Sequence, residues 1–289
     1  MSKILLLHTG GTIGMASGPE GLAPARGLVE TAIATLAPKG VDIAVEAFDP
    51  LLDSADIGPQ HWNRIVTRIA GFRGKGVVVT HGTDTMTFTG AALAQALQSI
   101  DLPVVLCGAM QPLGSGGDAE GNLALAIRHA MQGAPGIWLA FAGQVLSAVG
   151  LVKHDTRAAQ SFRSVPQTLP EGPFRPRLFQ PLRLAILTLS PGLPVAALGA
   201  ALAELDGAVL RVFGAGTVMA DPALHRLLAA ATSRGCRLRA VSQCETGGLV
   251  PGAYGAGAPL WRAGVENGGT ETPEAALARL WIEMSERGD

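Results

Sequence analysis

The sequence has no excess of charge of either sign. Its 289 residues include 22 lysines and arginines and 23 aspartates and glutamates, which gives a formal net charge of −1. Proteins that bind nucleic acid or anionic membrane surfaces carry basic patches, so we expect neither nucleic acid nor a membrane as a partner. Hydrophobic residues make up 48% of the chain, which is enough for a folded core and argues against disorder.

Cysteines are few and widely spaced, and Cys107, Cys236 and Cys244 form no C-x-x-C pair. This is not the pattern of a disulfide framework, and it favours a reducing compartment, the cytoplasm. The apolar run at residues 4–7 is too short for the hydrophobic part of a signal peptide. The uncharged stretch 133–152 has the length of a membrane span, but prolines and glycines interrupt it, so it is interpreted as two strands joined by a turn.

Aromatic residues are also scarce, at 4% with a single tyrosine, so the core must consist mainly of alanine, leucine and valine. Short apolar runs alternate with longer stretches of helical periodicity, which predicts an α/β protein with mainly parallel sheets covered by helices. Five prolines lie close together where this alternation lapses: Pro166, Pro170, Pro173, Pro176 and Pro181. They predict a linker at 165–181 between an N-terminal α/β domain, 1–164, and a smaller C-terminal α/β domain, 182–289.

Polar, glycine-rich segments follow three of the predicted strands, at residues 9–14, 81–85 and 108–111. Because ligands bind at the carboxyl ends of parallel strands, these segments are candidates for one site. Each also has a purely structural interpretation, since glycines make tight turns and the Thr-Asp-Thr run at 83–85 is a common start of a helix. None of them matches the dinucleotide or phosphate-loop patterns.

The segments 9–13, Thr-Gly-Gly-Thr-Ile, and 81–85, His-Gly-Thr-Asp-Thr, resemble the two signature motifs of the bacterial-type L-asparaginases. Residues 50–56 with Trp62, residues 152–156, and Gln243-Cys244 with residues 252–255 resemble further segments of the cytoplasmic, type I branch. The resemblance covers nearly the whole chain. It implies two domains of Rossmann- or flavodoxin-like topology and hydrolysis of the side-chain amide of asparagine, without metal or organic cofactor.

The resemblance also implies roles for four catalytic residues. Thr12 would be the nucleophile that forms an acyl-enzyme, and Thr83, Asp84 and Lys153 would form a second polar cluster in which Thr83 directs water onto the acyl group. A lysine acts as a base only when burial or neighbouring charges favour its neutral form. From the local sequence alone, Lys153 is equally well interpreted as an ordinary surface lysine.

Charge suggests how a free amino acid would be recognised, with Asp84 binding its ammonium group. Ser54, together with backbone N–H groups near Asp53, would bind the carboxylate, and Gly82 would line the same pocket. A backbone carbonyl near Ala109 would accept a hydrogen bond from the leaving amide. The six histidines have no metal-ligand spacing, and His81 is interpreted as a supporting residue rather than a ligand.

Two positions depart from the family pattern. Leu22 stands where members carry a catalytic tyrosine on a mobile lid, and the single tyrosine, Tyr254, lies too far along the chain to replace it. Thr217 stands where related enzymes place an asparagine that completes a neighbouring subunit's site. The resemblance implies a homodimer or homotetramer in which the C-terminal domain completes that site.

The departures leave alternatives open. The first-choice substrate is L-asparagine. An amidase with the same machinery that acts on another small amide, and a catalytically weak or silent binding protein that keeps the pocket, are the two rivals. A nucleotide-binding α/β protein is disfavoured because the chain has no phosphate loop.

Overall fold

The computed structural model describes residues 2–18 and 21–286, and the chain divides into two compact units between Leu178 and Phe179. This division falls inside the segment predicted as a linker. Residues 165–183, all of them described, contain neither helix nor strand.

The first unit is built around a six-stranded sheet in the order β4-β1-β5-β6-β7-β8, in which only the β7–β8 pair is antiparallel. Its strands are β1 (Ser2–Gly10), β4 (Val41–Leu52), β5 (Gly76–Thr80), β6 (Pro103–Cys107), β7 (Gly136–Phe141) and β8 (Gln144–Ser147). Two small antiparallel pairs accompany it: β2 (Met15–Gly18) with β3 (Gly21–Pro24), and β9 (Leu151–Lys153) with β10 (Phe162–Ser164).

Helices cover both faces of this sheet, as the continuous apolar strands predict. They are α1 (Leu28–Leu36), α2 (Pro59–Ala70), α3 (Met86–Ala96) and α4 (Ala119–Gln132). Helices α1 and α4 share a buried cluster with Ile4, Val78 and Val105. Gly90 of α3 lies against Leu106, which points to the opposite face because side chains alternate along a strand.

The second unit contains a parallel sheet in the order β11-β12-β13-β14. Its strands are β11 (Leu184–Thr188), β12 (Gly207–Val212), β13 (Arg237–Ser242) and β14 (Glu266–Asn267), and its helices are α5 (Val195–Ala203), α6 (Pro222–Ser233), α7 (Ala258–Arg262) and α8 (Pro273–Ser285). The prediction of an α/β chain with mainly parallel sheets covered by helices is confirmed.

The uncharged stretch 133–152 forms β7, a two-residue turn, β8 and the start of β9. Ala142 and Gly143 in the turn have φ angles of 48° and 76°, as expected of the tight turn that joins antiparallel strands. Among the helices of the described residues, none combines the length and the hydropathy that crossing a bilayer requires.

Candidate active site

The three glycine-rich segments meet at one edge of the first sheet, because β1, β5 and β6 are neighbours in it. Gly11 has a φ of +85°, and a Cβ atom there would lie 2.4 Å from the backbone nitrogen of Gly82. The segment after β1 and the segment after β5 are therefore in direct backbone contact. Glycine is required at this point both by the conformation and by the close approach.

Thr12 begins a short 3-10 turn, Thr12–Gly14, directly after this contact. Its side chain is half-buried, whereas Ile13 behind it is fully buried and anchors the turn in the core. Within the described part of the chain the Thr12 hydroxyl makes no hydrogen bond. Its hydrogen-bonding capacity is therefore available to a substrate or to water.

Thr83, Asp84 and Lys153 form one cluster beside this turn. The Lys153 ammonium donates hydrogen bonds to Thr83 Oγ1 at 3.0 Å and to Asp84 Oδ1 at 2.6 Å. The Lys153 side chain is only 15% exposed, whereas that of Asp84 is 76% exposed. Lys153 is therefore not an ordinary surface lysine, and the carboxylate of Asp84 is open to a ligand.

Local pairing explains how Lys153 reaches this cluster from 70 residues further along the chain. Lys153 is the last residue of β9, where it pairs with Phe162 of β10. Phe162 is buried and packs edge-on against Phe141 at the end of β7. The small β9–β10 pair is thus anchored to the carboxyl edge of the main sheet, where the candidate site lies.

The structure argues against the interpretation of residues 83–85 as a helix cap. Thr85 occupies the N-cap position of α3 but makes no capping hydrogen bond. Its hydroxyl instead donates to the Ser54 carbonyl at 2.5 Å. The polar side chains at this strand end are therefore directed to other segments of the site rather than to their own helix.

Ser54 is 3% exposed and lies against Gly82, where a Cβ atom would come within 2.6 Å of Ser54 Oγ. Asp53 caps the turn that contains Ser54, and its carboxylate accepts the N–H of Ala55 at 2.9 Å. The next two amides, of Asp56 and Ile57, also bond within this turn. Of the groups predicted to bind a substrate carboxylate, the Ser54 hydroxyl is the one that lies against the 81–85 segment.

His81 is fully buried and supports the segment that carries Thr83. One ring nitrogen, Nδ1, lies 2.7 Å from the carbonyl oxygen of Gly82, and the other, Nε2, lies 2.8 Å from Thr89 Oγ1. Because a carbonyl only accepts, Nδ1 carries the proton and Nε2 accepts from Thr89. Burial lowers the pKa of His81 to about 4, so the ring is neutral at pH 7.

The remaining predicted positions lie in several places. Ala109 follows β6 and is 2% exposed. Leu22 lies on β3, paired with Ser17, and is 48% exposed, whereas the neighbouring Pro19 and Glu20 lie outside the described residues. Thr217 belongs to the second unit, where it pairs with Phe213 in an isolated bridge. No grouping of three or more potential metal-binding side chains occurs within residues 2–18 and 21–286.

Sequence reasoning missed two residues at this edge, Asp118 and Asn122. They bind the backbone of the segment after β6 from the start of α4. Their signal in the sequence is an aspartate at a helix start followed four residues later by an asparagine on the same face. Because this pattern is common at helix starts, it does not by itself indicate a functional site.

Comparison with protein families identifies the relationship. Residues 3–171 match the family model for the N-terminal region of asparaginase, and residues 183–288 match the glutaminase/asparaginase C-terminal domain. The chain belongs to the asparaginase family. The asparaginase signatures at residues 9–13 and 81–85 therefore belong to the N-terminal family region.

Relatives of this chain within the family carry different names, L-asparaginase and lysophospholipase. L-asparaginase 1 of Escherichia coli (strain K12) is 28% identical over 99% of this chain and 93% of its own length. The crystal structure of L-asparaginase I from Vibrio cholerae matches with a TM-score of 0.86 and 28% identity, over 99% of this chain and 93% of that one. The 60 kDa lysophospholipase of Mus musculus is 29% identical over 99% of this chain and 59% of its own length.

Proposed function

We propose that this asparaginase-family protein hydrolyses the side-chain amide of L-asparagine to aspartate and ammonia, with Thr12 as the nucleophile. The observation that carries the proposal is the Thr83–Asp84–Lys153 cluster, which follows Gly82, and Gly82 is in backbone contact with Gly11, the residue before Thr12. A weak nucleophile such as threonine needs a neighbouring proton acceptor, and this edge of the sheet has one candidate lysine. Relatives named L-asparaginase support the reaction class.

The proposed reaction has two steps. Thr12 Oγ attacks the amide carbon, the C–N bond breaks, and the nitrogen leaves as ammonia with the hydroxyl proton. Water then attacks the resulting ester, directed by Thr83, and releases aspartate and the free Thr12 hydroxyl. Each step needs a group that takes up and returns one proton, and we assign that role to Lys153, whereas Thr83 acts on the water of the second step.

Asp84 is the proposed partner of the substrate's ammonium group. In the structure its carboxylate forms an ion pair with Lys153 and remains 76% exposed, so a second cation can reach it. The proposed recognition scheme for the substrate uses Asp84, Ser54 near Asp53, Gly82 and the Ala109 carbonyl.

A second candidate is an amidase with the same machinery acting on a different small amide. The observation that favours it is Leu22, an exposed apolar residue at the position proposed for the lid tyrosine. Leucine offers no hydroxyl for proton transfer, so L-asparagine would be hydrolysed slowly. A substrate with a better leaving group would tolerate this loss.

Two further parts of the proposal concern the assembly and the compartment. We propose a homodimer or homotetramer in which the second unit of one copy, through Thr217, completes the site of another. Static light scattering on a size-exclusion column tests this, and a monomer at micromolar concentration would refute it. Cys107, Cys236 and Cys244 are free thiols, which supports the cytoplasm as the proposed compartment.

The decisive experiment measures ammonia release from a panel of amides that includes asparagine, glutamine and amides without an α-amino group. Release from L-asparagine supports the proposal, and release only from another amide supports the second candidate. Thermal stabilisation by asparagine without any turnover would instead indicate a binding protein.

A further inference from the structure

The residue that precedes α4, Asp118, does not cap the first turn of this helix with its side chain. Asp118 occupies the N-cap position, where an aspartate ordinarily accepts an N–H from the first turn, but it makes no such bond. Its carboxylate turns to the segment after β6. It accepts the N–H of Met110 at 2.9 and 3.0 Å through its two oxygens, and the N–H of Gln111 at 3.0 Å.

Asn122, one turn further along α4, reinforces this contact and is 2% exposed. Its Nδ2 donates to Asp118 Oδ2 and to the Gly108 carbonyl, both at 3.0 Å. Its Oδ1 accepts the N–H of Ala142, after β7, at 2.8 Å. A backbone donor at Oδ1 and two acceptors at Nδ2 leave only one orientation of the amide group.

The contact with Met110 fixes the direction of the preceding carbonyl. The N–H of Met110 and the C=O of Ala109 belong to one trans peptide unit and point in opposite directions. Because the N–H points at Asp118, the Ala109 carbonyl points away from it. A charged acceptor on the N–H also polarises the peptide unit, which makes the Ala109 oxygen a better acceptor.

The same segment lies against the loop that carries Thr83. A Cβ atom on Gly108 would be 2.6 Å from the His81 carbonyl oxygen and 3.4 Å from Thr83 Cγ2. Gly108 is therefore packed directly against the Thr83 loop, and the peptide unit between Ala109 and Met110 is the part of this segment that the Asp118 bonds hold.

We propose that Asp118, supported by Asn122, is a positioning residue that directs the Ala109 carbonyl at the leaving amide of the substrate. This inference rests on the proposed function, in which that carbonyl accepts an N–H from the leaving group. Asp118 itself does not touch the substrate. Its role is to hold and polarise one peptide unit.

The test compares two substrates that differ only in the leaving group, L-asparagine and the β-methyl ester of aspartate. The ester leaving group has no N–H to donate, so it does not use the Ala109 carbonyl. In Asp118→Asn we expect kcat/KM to fall about 10- to 100-fold for the amide and less than about threefold for the ester. Equal losses on both substrates would overturn the proposal, since they indicate general distortion of the site.

The control variant is Glu120→Gln. Glu120 lies in the same turn of α4, but its carboxylate accepts the N–H of Gly114, at 2.6 Å, rather than that of Met110 or Gln111. Glu120→Gln should leave kcat/KM for both substrates unchanged, and a selective loss on the amide in this variant would contradict the proposal. If Asp118→Asn does not fold, Asp118→Ser provides a good helix N-cap whose short side chain releases the loop, and the same selective loss is expected.

A second measurement does not depend on activity. In proton NMR, the amide protons of Met110 and Gln111 should resonate downfield in the wild type and move upfield in Asp118→Asn. If the wild type releases no ammonia from asparagine, the proposed function fails, while these shifts still decide whether Asp118 holds the loop. Unchanged amide shifts in the variant would overturn the positioning role, whatever the activity.

Discussion

Replacing Lys153 with methionine removes the amine and keeps the length and apolar bulk of the side chain. The variant loses one hydrogen bond of 3.0 Å to Thr83 and one ion pair of 2.6 Å to Asp84. Because Asp84 is 76% exposed, water screens this pair, and we expect unfolding free energy to change by no more than about 1 kcal/mol. Loss of a general base should lower kcat by about 10²–10⁴, which corresponds to about 3–5 kcal/mol in the barrier.

The assay is steady-state ammonia release at pH 7, combined with a urea denaturation curve of each variant. Lys75→Met is the control, because Lys75 is an exposed lysine of the same unit that precedes the amino end of β5, whereas the 81–85 motif follows the carboxyl end of that strand. The reasoning requires a large loss in kcat at nearly unchanged stability. A loss confined to KM would refute it and assign Lys153 to substrate binding instead.

Three more perturbations test other parts of the account. In Asp84→Asn, kcat/KM should fall much more for L-asparagine than for the matching amide without an α-amino group, and equal losses would exclude Asp84 as the ammonium partner. Leu22→Tyr should raise kcat on L-asparagine more than it changes KM. If the wild type already hydrolyses L-asparagine rapidly and Leu22→Tyr gives no increase, a lid role for residue 22 in proton transfer is excluded. The third concerns His81, whose pKa in the fold is lowered by burial to about 4, well below the usual value for a histidine. The unfolded chain therefore binds the extra proton first as the pH falls. Relative to His81→Gln, the wild type should lose about 2 kcal/mol of stability between pH 7 and pH 5, and a pH-independent difference in urea titrations would contradict this.

Much of the fold was readable from the sequence because its central strands are buried on both faces. Runs such as Val77–Val79 are fully buried, and a continuous apolar run is the direct signature of that position. Strand β4 has no such run in its sequence, because it is an edge strand paired only with β1. It is half exposed and contains Asp42, Glu46 and Asp49, which obscure a buried pattern.

The candidate site was only partly readable, and the reason lies in the distances along the chain. The segments after β1 and β5 could be placed together because neighbouring parallel strands end at the same edge. Lys153 came only from the family resemblance, since nothing local shows that β9 returns to this edge. Asp118 could not be predicted as a site residue, because its carboxylate binds backbone N–H groups and residue types do not show which backbone groups a side chain will reach.

The central claim is that Thr12 becomes covalently acylated, and mass spectrometry of the trapped intermediate tests it most directly. The variant Thr83→Ala should slow the attack of water, so that the acyl-enzyme accumulates after rapid acid quench with L-asparagine. We predict a mass increase of one aspartyl group on the peptide that contains Thr12, and its absence in the double variant with Thr12→Ala. Turnover without such a label, or a label on another residue, would contradict the threonine mechanism.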